Sequence, residues 1–273
     1  MAALSPIAEF ARRHDPDRFL CTLFAPPARR EALFALIAFN HELARAREAA
    51  RTPLIALMRL QWWREAVEQA AEGRPPRRHE VAGPLHAAIA EGAFAAEELL
   101  AMVEAREVEA EEAPPDEAGF AAYLRGTAGG VAVAAGRCLG TPAALLPALQ
   151  TAGAAYGLAG VLRSTALLAG QGRCLLPQEA LAEAGLDAAA VRAAPDSAAV
   201  RGAVARLAAA GLARLPAVAA ELRALPQGAV AAALPLVLAR RDLRRLAAGR
   251  PGLAGRGFGD RVAVAWAGMR GAV

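Results

Sequence analysis

The fold of this chain is decided by residues 153–177, GAAYGLAGVLRSTALLAGQGRCLLP. The first part of this stretch predicts a helix in which Gly153, Gly157 and Gly160 are spaced by four and three residues, so the three share one face. A glycine inside a helix costs about 1 kcal/mol relative to alanine. Three glycines on one face therefore indicate that a neighbouring helix or a bulky apolar ligand approaches closely. The Gly-Gln-Gly sequence at 170–172 predicts a break after this helix.

The same stretch resembles the second signature of the squalene/phytoene synthase family, all-helical enzymes that join two prenyl diphosphates head to head. In that family the signature contains Leu-Arg-Asp, a second aspartate four residues after the first, and then Gly-Arg, one residue and Tyr-Leu-Pro. The frame survives here as Leu162-Arg163, Gly172-Arg173 and Leu176-Pro177. The two aspartates do not survive, because Ser164 and Leu168 occupy their positions.

The first signature of the family aligns with residues 37–48, IAFNHELARARE. Its three aspartates map to Ala44, Arg45 and Glu48, so one acid remains. The resemblance implies that these aspartates hold magnesium ions, which prefer hard oxygen ligands in octahedral geometry, and that the ions hold the diphosphate. An arginine among the ligand positions opposes cation binding. The sequence therefore predicts no catalytic residue, no metal site and no cofactor, and magnesium is expected only if the chain is an active synthase.

The residues that replace the signatures resemble a non-catalytic branch of the family, the mitochondrial complex I assembly factor relatives and their bacterial counterparts. This resemblance rests on residues 39–45 and 57–64, and it is supported by residues 104–107 and 123–125. It covers about residues 15–190, while the later helices match only as an apolar, Ala-rich pattern.

Composition and the positions of helix-starting and helix-ending residues predict an all-α fold. The resemblance implies a helical bundle of the prenyl (terpenoid) synthase type with a central cavity. The 273 residues are 56% hydrophobic, enough to bury a large core, and no segment alternates convincingly as a strand. We expect one domain over residues 1–273, with Ala-rich helices at 197–248, an Arg-rich tail at 249–273, and the helix at 27–47 facing the helix at 142–169. Helix N-caps followed by proline are predicted at Ser5-Pro6, Asp15-Pro16, Thr52-Pro53 and Thr141-Pro142.

The three dispersed cysteines and the charged first 13 residues predict a protein that is cytoplasmic or matrix-side and not secreted. The longest uncharged span, residues 138–162, contains two prolines, a glutamine and four glycines. We interpret it as a buried helix and not as a membrane span, because continuous strong hydrophobicity is missing.

Residues with affinity for a substrate or another ligand are expected among the arginines, aromatic residues and glycines of the frame that resembles the family. Guanidinium groups bind phosphate without a metal, so the arginines of this set could line an anion pocket. The alternative is that Arg59, Arg163 and Arg173 form buried ion pairs with Glu42, Glu48 or Glu65. Of the adjacent Trp62 and Trp63, one is expected in the core and the other half-exposed. The candidate binding residues are Arg59, Gln61, Trp62, Tyr123, Gly157, Gly160, Arg163 and Arg173.

Charge is distributed unevenly along the chain. Residues 91–117 are acidic, whereas residues 240–270 carry eight arginines against Asp242 and Asp260. The basic end could contact a protein partner or an anionic membrane surface, although simple surface charge is an alternative. Glu104, Glu107 and Glu111 recur at helical spacing and are expected to form a solvated acidic stripe. No recognised nucleic-acid module is visible, so nucleic acid is not an expected partner.

Three functions remain open at this point. The first is a non-catalytic assembly factor whose partners are respiratory complex I subunits, peripheral to the inner membrane. The second is an active prenyl diphosphate transferase, and the third is an isoprenoid-binding or lipid-binding module. The missing aspartates disfavour the second hypothesis, and the sequence does not distinguish the first from the third.

Overall fold

The chain folds as an all-α bundle, as predicted. A computed structural model describes residues 3–50, 52–111, 113–250 and 255–273, and no strand occurs within them. The first eight helices are α1 (Pro6–His14), α2 (Pro16–Thr22), α3 (Pro27–Glu48), α4 (Pro53–Ala71), α5 (Ala82–Ala90), α6 (Ala96–Ala105), α7 (Glu117–Gly126) and α8 (Ala128–Cys138).

The remaining helices continue to the C-terminal end of the described chain. They are α9 (Leu146–Arg163), α10 (Thr165–Gly170), α11 (Gln178–Ala182), α12 (Ala188–Ala193), α13 (Ala198–Glu221), α14 (Val230–Ala233), α15 (Pro235–Ala247) and α16 (Phe258–Arg270). Short 3₁₀ turns occur at Glu107–Ala110, Ala143–Leu145, Leu222–Ala224 and Gln227–Ala229. Residues 251–254 of the predicted Arg-rich tail lie outside the described residues.

Three of the four predicted N-caps are confirmed. The side chains of Ser5, Asp15 and Thr52 accept hydrogen bonds from backbone N–H groups in the first turns of α1, α2 and α4. The prediction at Thr141 is wrong, because a 3₁₀ turn precedes α9 and the Thr141 hydroxyl is buried without a hydrogen-bond partner among the described residues.

Helices α3 and α9 form the centre of the bundle. Helix α3 packs against α1, α4, α5 and α8, and its central turns are buried on nearly all sides. Helix α9 packs against α7, α8, α13 and α15. The helix predicted at 142–169 is interrupted at Ser164, where α9 ends and the short α10 begins. The two signature segments nonetheless face each other across a cavity, as the sequence predicts.

The glycine face of α9 has two different environments. A Cβ atom on Gly153 would lie 2.5 Å from the carbonyl oxygen of Ala128, and one on Gly157 would lie 2.8 Å from the Ala128 Cβ. These two glycines therefore allow the close approach of α8. A Cβ atom on Gly160 would meet no described atom within 4 Å. Gly160 instead faces the cavity.

Two helical stretches, Ala143–Arg163 and Ala198–Ala224, are long and apolar enough to cross a membrane by length and composition alone. The first contains α9, which is surrounded by four other helices. The second contains α13, which packs on α9 and α15. Core helices of soluble proteins meet the same two criteria, so this observation carries no further conclusion.

Candidate functional site

A cavity of about 270 Å³ lies between the two signature segments. Asn40, Ala44 and Glu48 of α3 line one wall. The opposite wall is formed by α9 and α10, including Gly157 and Gly160. Because side chains three and four residues apart share a helix face, the pattern of α3 places Asn40, Ala44 and Glu48 together on the cavity side. The site therefore coincides with the place where the sequence resemblance locates the ligands for magnesium.

The five degenerate signature positions are not equivalent in the structure. Ala44, Glu48, Ser164 and Leu168 all line the cavity. Arg45 does not line the cavity; it is exposed to solvent and lies 3.6 Å from the Glu42 carboxylate. Its charge therefore does not point at the ligand positions, contrary to the expectation of direct repulsion. The loss of oxygen ligands at the other positions is the larger effect.

A buried charge network occupies the wall beside these positions, and Glu109 is its centre. Arg106 donates to Glu109 Oε1 at 2.5 Å, and Arg173 donates to Glu109 Oε2 at 2.7 Å. The Tyr123 hydroxyl donates to Oε1 at 2.8 Å. Arg106 also donates to Asn40 Oδ1 at 3.1 Å. The network thus connects both signature segments through a carboxylate that belongs to neither.

The ionisation of Glu109 is fixed by these neighbours. Burial opposes the charged form, but the positive charges of Arg106 and Arg173 outweigh it, so the pKa of Glu109 lies below its ordinary value. Burial and the adjacent carboxylate raise the pKa of Tyr123. Glu109 is therefore ionised at neutral pH, and its two oxygens are already used by three donors.

The cavity does not fit the magnesium ions that the resemblance implies. Magnesium requires several free oxygen ligands in octahedral geometry. Glu109 cannot supply them without losing its contacts to Arg106 and Arg173, which leaves Glu48 as the cavity acid outside the network. Among the residues that the structure describes, no group of three or more His, Cys, Asp or Glu side chains is placed to hold a metal ion.

Arg163 lies outside the cavity lining and belongs to a second network. It donates to Asp242 on α15 at 3.2 Å, and Arg256 donates to the same carboxylate at 2.7 Å. Arg256 also donates to Asp17 at 2.7 Å, and the hydroxyl of the cavity residue Tyr156 donates to Asp17 at 3.1 Å. This network connects the C-terminal segment to α2, α9 and α15.

The ion-pair alternative is confirmed for Arg163 and Arg173, but the predicted acids are wrong. Their partners are Asp242 and Glu109, and not the three glutamates near the first signature. The sequence could not indicate these partners because they lie 79 and 64 residues away. Asp242 and Glu109 reach the two arginines because of the way α15 and the 3₁₀ turn pack against the rest of the bundle. The periodicity of the sequence carries no information about that packing.

The other candidate binding residues lie on a different surface. Arg59 and Trp62 line a pocket of about 170 Å³ together with Glu42, Ala46, Trp63 and His79. Gln61 is exposed and donates to Glu65 at 3.1 Å. Trp63 is buried and Trp62 is half-buried, as predicted for the pair. Seven of the eight candidates therefore divide between the central cavity, the Asp242 network and this outer pocket, and Gln61 lies on the surface outside all three.

The predicted solvated stripe is confirmed, since Glu104, Glu107 and Glu111 are all exposed, but the acid of this segment that lines the cavity is Glu109. Helix α6 ends at Ala105, and Glu109 is buried in the following 3₁₀ turn. At about 100° per residue Glu109 lies about 140° from Glu104, so helical spacing alone already places it away from the exposed stripe. The signal that could have identified the site is the pair Arg106 and Glu109 at a spacing of three.

A sequence profile of the squalene/phytoene synthase family matches residues 11–265. The chain belongs to the squalene/phytoene synthase family. The match extends beyond residues 15–190 and includes the Ala-rich helices, which the signature residues alone did not cover.

Curated relatives of this family member are similar over a shorter region. It is 39% identical over 70 residues to NADH dehydrogenase (ubiquinone) complex I, assembly factor 6 of Homo sapiens, which is 26% of this chain and 21% of the relative. The homolog of that factor in Drosophila melanogaster is 39% identical over 61 residues, 22% of this chain and 18% of the relative. The matched region spans about a fifth of the length of these relatives.

Solved structures of family enzymes share the fold over nearly the whole chain. A dehydrosqualene synthase in complex with a ligand superposes with a TM-score of 0.79 at 14% identity, covering 97% of this chain and 94% of that one. A squalene synthase from Alicyclobacillus acidocaldarius superposes with a TM-score of 0.64 at 19% identity, covering 97% and 92%. At these identities the similarity shows the isoprenoid synthase fold alone.

Proposed function

We propose that this family member is a non-catalytic binding protein that acts in the assembly of respiratory complex I. The observation that carries the proposal is the state of Glu109, a carboxylate beside the signature positions that line the cavity, whose oxygens are held by Arg106, Arg173 and Tyr123. The positive charge of Arg106 and Arg173, which a synthase would need for diphosphate, is neutralised here by a carboxylate of the protein itself.

The chemistry of diphosphate departure supports this proposal. The developing negative charge must be neutralised, and a bound metal ion contributes several kcal/mol to that step in enzymes that use one. Ala44, Ser164 and Leu168 offer no carboxylate to hold such an ion, and Leu168 packs into an apolar cluster with Phe120 and Leu175. We therefore propose that the walls of the cavity stabilise the fold and do not bind and activate a substrate.

The partner is proposed from the partial similarity to complex I assembly factors. That similarity covers a small part of the relatives, so the role comes to this chain as a proposal. The outer pocket around Arg59 and Trp62 is the surface that we assign to a protein partner, since arginine and tryptophan are the residues that most often carry binding energy at interfaces. We place the protein on the cytoplasmic or matrix side of the membrane in which complex I matures.

The test is complementation of a strain that lacks the gene, with complex I activity as the measurement. Wild type and Glu48→Ala should restore activity, because the remaining ligand-position acid has no metal to hold. A double variant, Arg59→Ala with Trp62→Ala, should restore it poorly. Arg12→Ala is the matched control, since this exposed arginine pairs with Glu9 on the same helix.

Two results would contradict the proposal. The first is normal complex I activity in the deletion strain. The second is formation of squalene, phytoene or a related product when purified protein is incubated with magnesium and farnesyl or geranylgeranyl diphosphate. Circular dichroism of each variant separates a lost partner surface from a lost fold.

A second candidate function, binding of an isoprenoid or lipid, is favoured by one observation. An apolar pocket adjoins the central cavity, and the two share Arg18, Ala128 and Tyr156. Its volume of about 40 Å³ is far below the roughly 300 Å³ at which small-molecule pockets begin, so a prenyl chain would require the surrounding helices to move. Mass spectrometry of the protein purified under native conditions would reveal a co-purified lipid.

A further inference from the structure

The C-terminal helix α16 carries a row of large apolar side chains that face solvent. Phe258, Val262, Trp266 and Met269 are 84%, 47%, 59% and 66% exposed. Their spacings of four, four and three residues place them within an arc of about 80° at about 100° per residue. We refer to these four residues as the α16 stripe. Isolated exposed apolar residues are ordinary, but a contiguous row on one helix indicates a contact surface.

The opposite face of α16 fixes the helix to the bundle. Asp260, Val264 and Gly268 are buried, and Gly268 lies directly against the ring of Phe24, which follows α2. The Asp260 carboxylate accepts hydrogen bonds from Arg241 at 2.6 Å and from Arg245 at 2.8 Å, both on α15. The α16 stripe is therefore held outward by a well-anchored helix.

The charges around the stripe are positive. Arg261 and Arg270 are exposed and lie at its two edges, and the Arg270 guanidinium is 5.7 Å from the centre of the Trp266 ring. The one acid of the helix, Asp260, is 1% exposed and lies beneath Arg241 and Arg245. The outward face thus presents apolar side chains and arginines without an opposing carboxylate from α16.

The dimensions of the stripe distinguish among occupants. Thirteen residues form a helix about 20 Å long and about 10 Å wide, which is a footprint of roughly 200 Å². A stable interface buries about 800 Å² on each partner, so the stripe alone is too small to hold a second copy of the chain. The helix is also shorter than the roughly 20 residues needed to span a bilayer. A helix that lies in the plane of a membrane surface fits both limits.

We infer that α16 is an interfacial membrane-binding helix that inserts Phe258, Val262 and Met269 among the acyl chains of an anionic bilayer, with Trp266 beside them. Arg261 and Arg270 lie at the depth of the lipid phosphates, and Trp266 occupies the boundary between headgroups and acyl chains, where tryptophan is favoured. This inference goes beyond the proposed function, because it requires neither complex I nor a ligand in the cavity.

The residues assigned to the membrane contact differ from those that the sequence indicated. The sequence pointed to the arginines after residue 240 as an electrostatic patch. In the structure Arg241, Arg245 and Arg256 are engaged by Asp17, Asp242 and Asp260. The membrane contact is therefore assigned mainly to apolar insertion, with a smaller electrostatic contribution from the two edge arginines.

The test is flotation of the full chain with vesicles of phosphatidylcholine alone, or of phosphatidylcholine with an equal amount of phosphatidylglycerol. Wild type should bind the anionic vesicles more strongly. The double variant Phe258→Ser with Trp266→Ser should lower the partition coefficient by about 30-fold or more, because two large apolar side chains no longer leave water. Brominated acyl chains should quench the tryptophan emission of wild type and not that of the variant.

The matched control is a double variant on another surface, Leu54→Ser with Met58→Ser on α4. These side chains are 67% and 64% exposed, so the control removes a comparable apolar surface without touching α16. It should bind vesicles like wild type. Arg261→Ala with Arg270→Ala should lower binding to the anionic vesicles by about 10- to 30-fold and leave binding to phosphatidylcholine unchanged.

Three outcomes would overturn the inference. One is wild-type protein that binds neither vesicle. Another is a stripe variant that binds anionic vesicles like wild type, which would indicate a purely electrostatic attachment elsewhere. The third is wild-type protein that self-associates through the stripe, shown by light scattering, and whose vesicle binding is unaffected by the stripe variant.

Discussion

Removal of the Glu109 carboxylate should destabilise the protein far more than removal of its neighbour Glu107. Both acids belong to the same 3₁₀ turn, Glu107–Ala110. The Glu109 side chain is 5% exposed and pairs with Arg106 and Arg173, which are 11% and 7% exposed, whereas the Glu107 side chain is 46% exposed and pairs with Arg64 at 3.0 Å. The two residues therefore form a matched comparison of a buried and a surface ion pair.

The loss of unfolding free energy depends on the charges that each substitution leaves unpaired. Glu109→Ala leaves the guanidinium groups of Arg106 and Arg173 buried without their counter-charge, a change that costs about 3–5 kcal/mol. Glu107→Ala removes a surface pair that contributes roughly 0–1 kcal/mol. Domains of ordinary stability have about 5–15 kcal/mol in total, so Glu109→Ala should come close to unfolding the chain at physiological temperature.

Urea denaturation followed by far-UV circular dichroism measures the two free energies of unfolding. Because the pKa of Glu109 is lower in the folded chain than in the unfolded chain, the native state binds fewer protons through this group, and stability is lost as pH falls below about 4.5. The difference between wild type and Glu109→Ala should therefore be full at neutral pH and shrink in acid.

A ligand provides an independent check of the same reasoning. Inorganic pyrophosphate should raise the melting temperature of Glu109→Ala more than that of wild type, because the two arginines then lack their internal anion. Equal destabilisation by Glu109→Ala and Glu107→Ala, with no response to pyrophosphate, would refute the view that Glu109 neutralises a buried arginine pair.

Two further substitutions in α9 and one pH series on α3 test the packing of these two central helices. Gly153→Ala should destabilise the chain by about 1–3 kcal/mol through collision with Ala128, whereas Gly160→Ala should stabilise it by about 0.5–1 kcal/mol through helix propensity, and calorimetric melting of both variants distinguishes them. Burial, together with the charges of His14 and Arg45, lowers the pKa of His41 to about 4. Because the unfolded chain binds this proton more readily, melting temperature should fall as pH decreases from about 6.5 towards 4, and His41→Phe should flatten that part of the profile.

Much of the architecture could be predicted from local sequence. The glycine spacing of α9 and the caps at Ser5, Asp15 and Thr52 depend on contacts within a few residues, and local patterns report such contacts well. The facing of the two signature segments was also predictable, since their frames match a family whose helices face each other. The interruption of the second helix at Ser164, where α9 ends and α10 begins, was not predicted, because no proline or glycine stands at that position to indicate a break.

Some features of the site could likewise be predicted from the sequence, and others could not. The sequence by itself determined that no aspartate remains at the signature positions and that Glu48 is the one acid left there, because the identities of Ala44, Ser164 and Leu168 suffice for that conclusion. Only the tertiary structure decided what replaced them. Arg173 meets Glu109 across 64 residues, and Arg163 meets Asp242 across 79. A charged group is neutralised by the oppositely charged side chain that the fold brings within about 3 Å. The packing of distant helices determines which side chain that is, so no spacing in the sequence encodes the pairing.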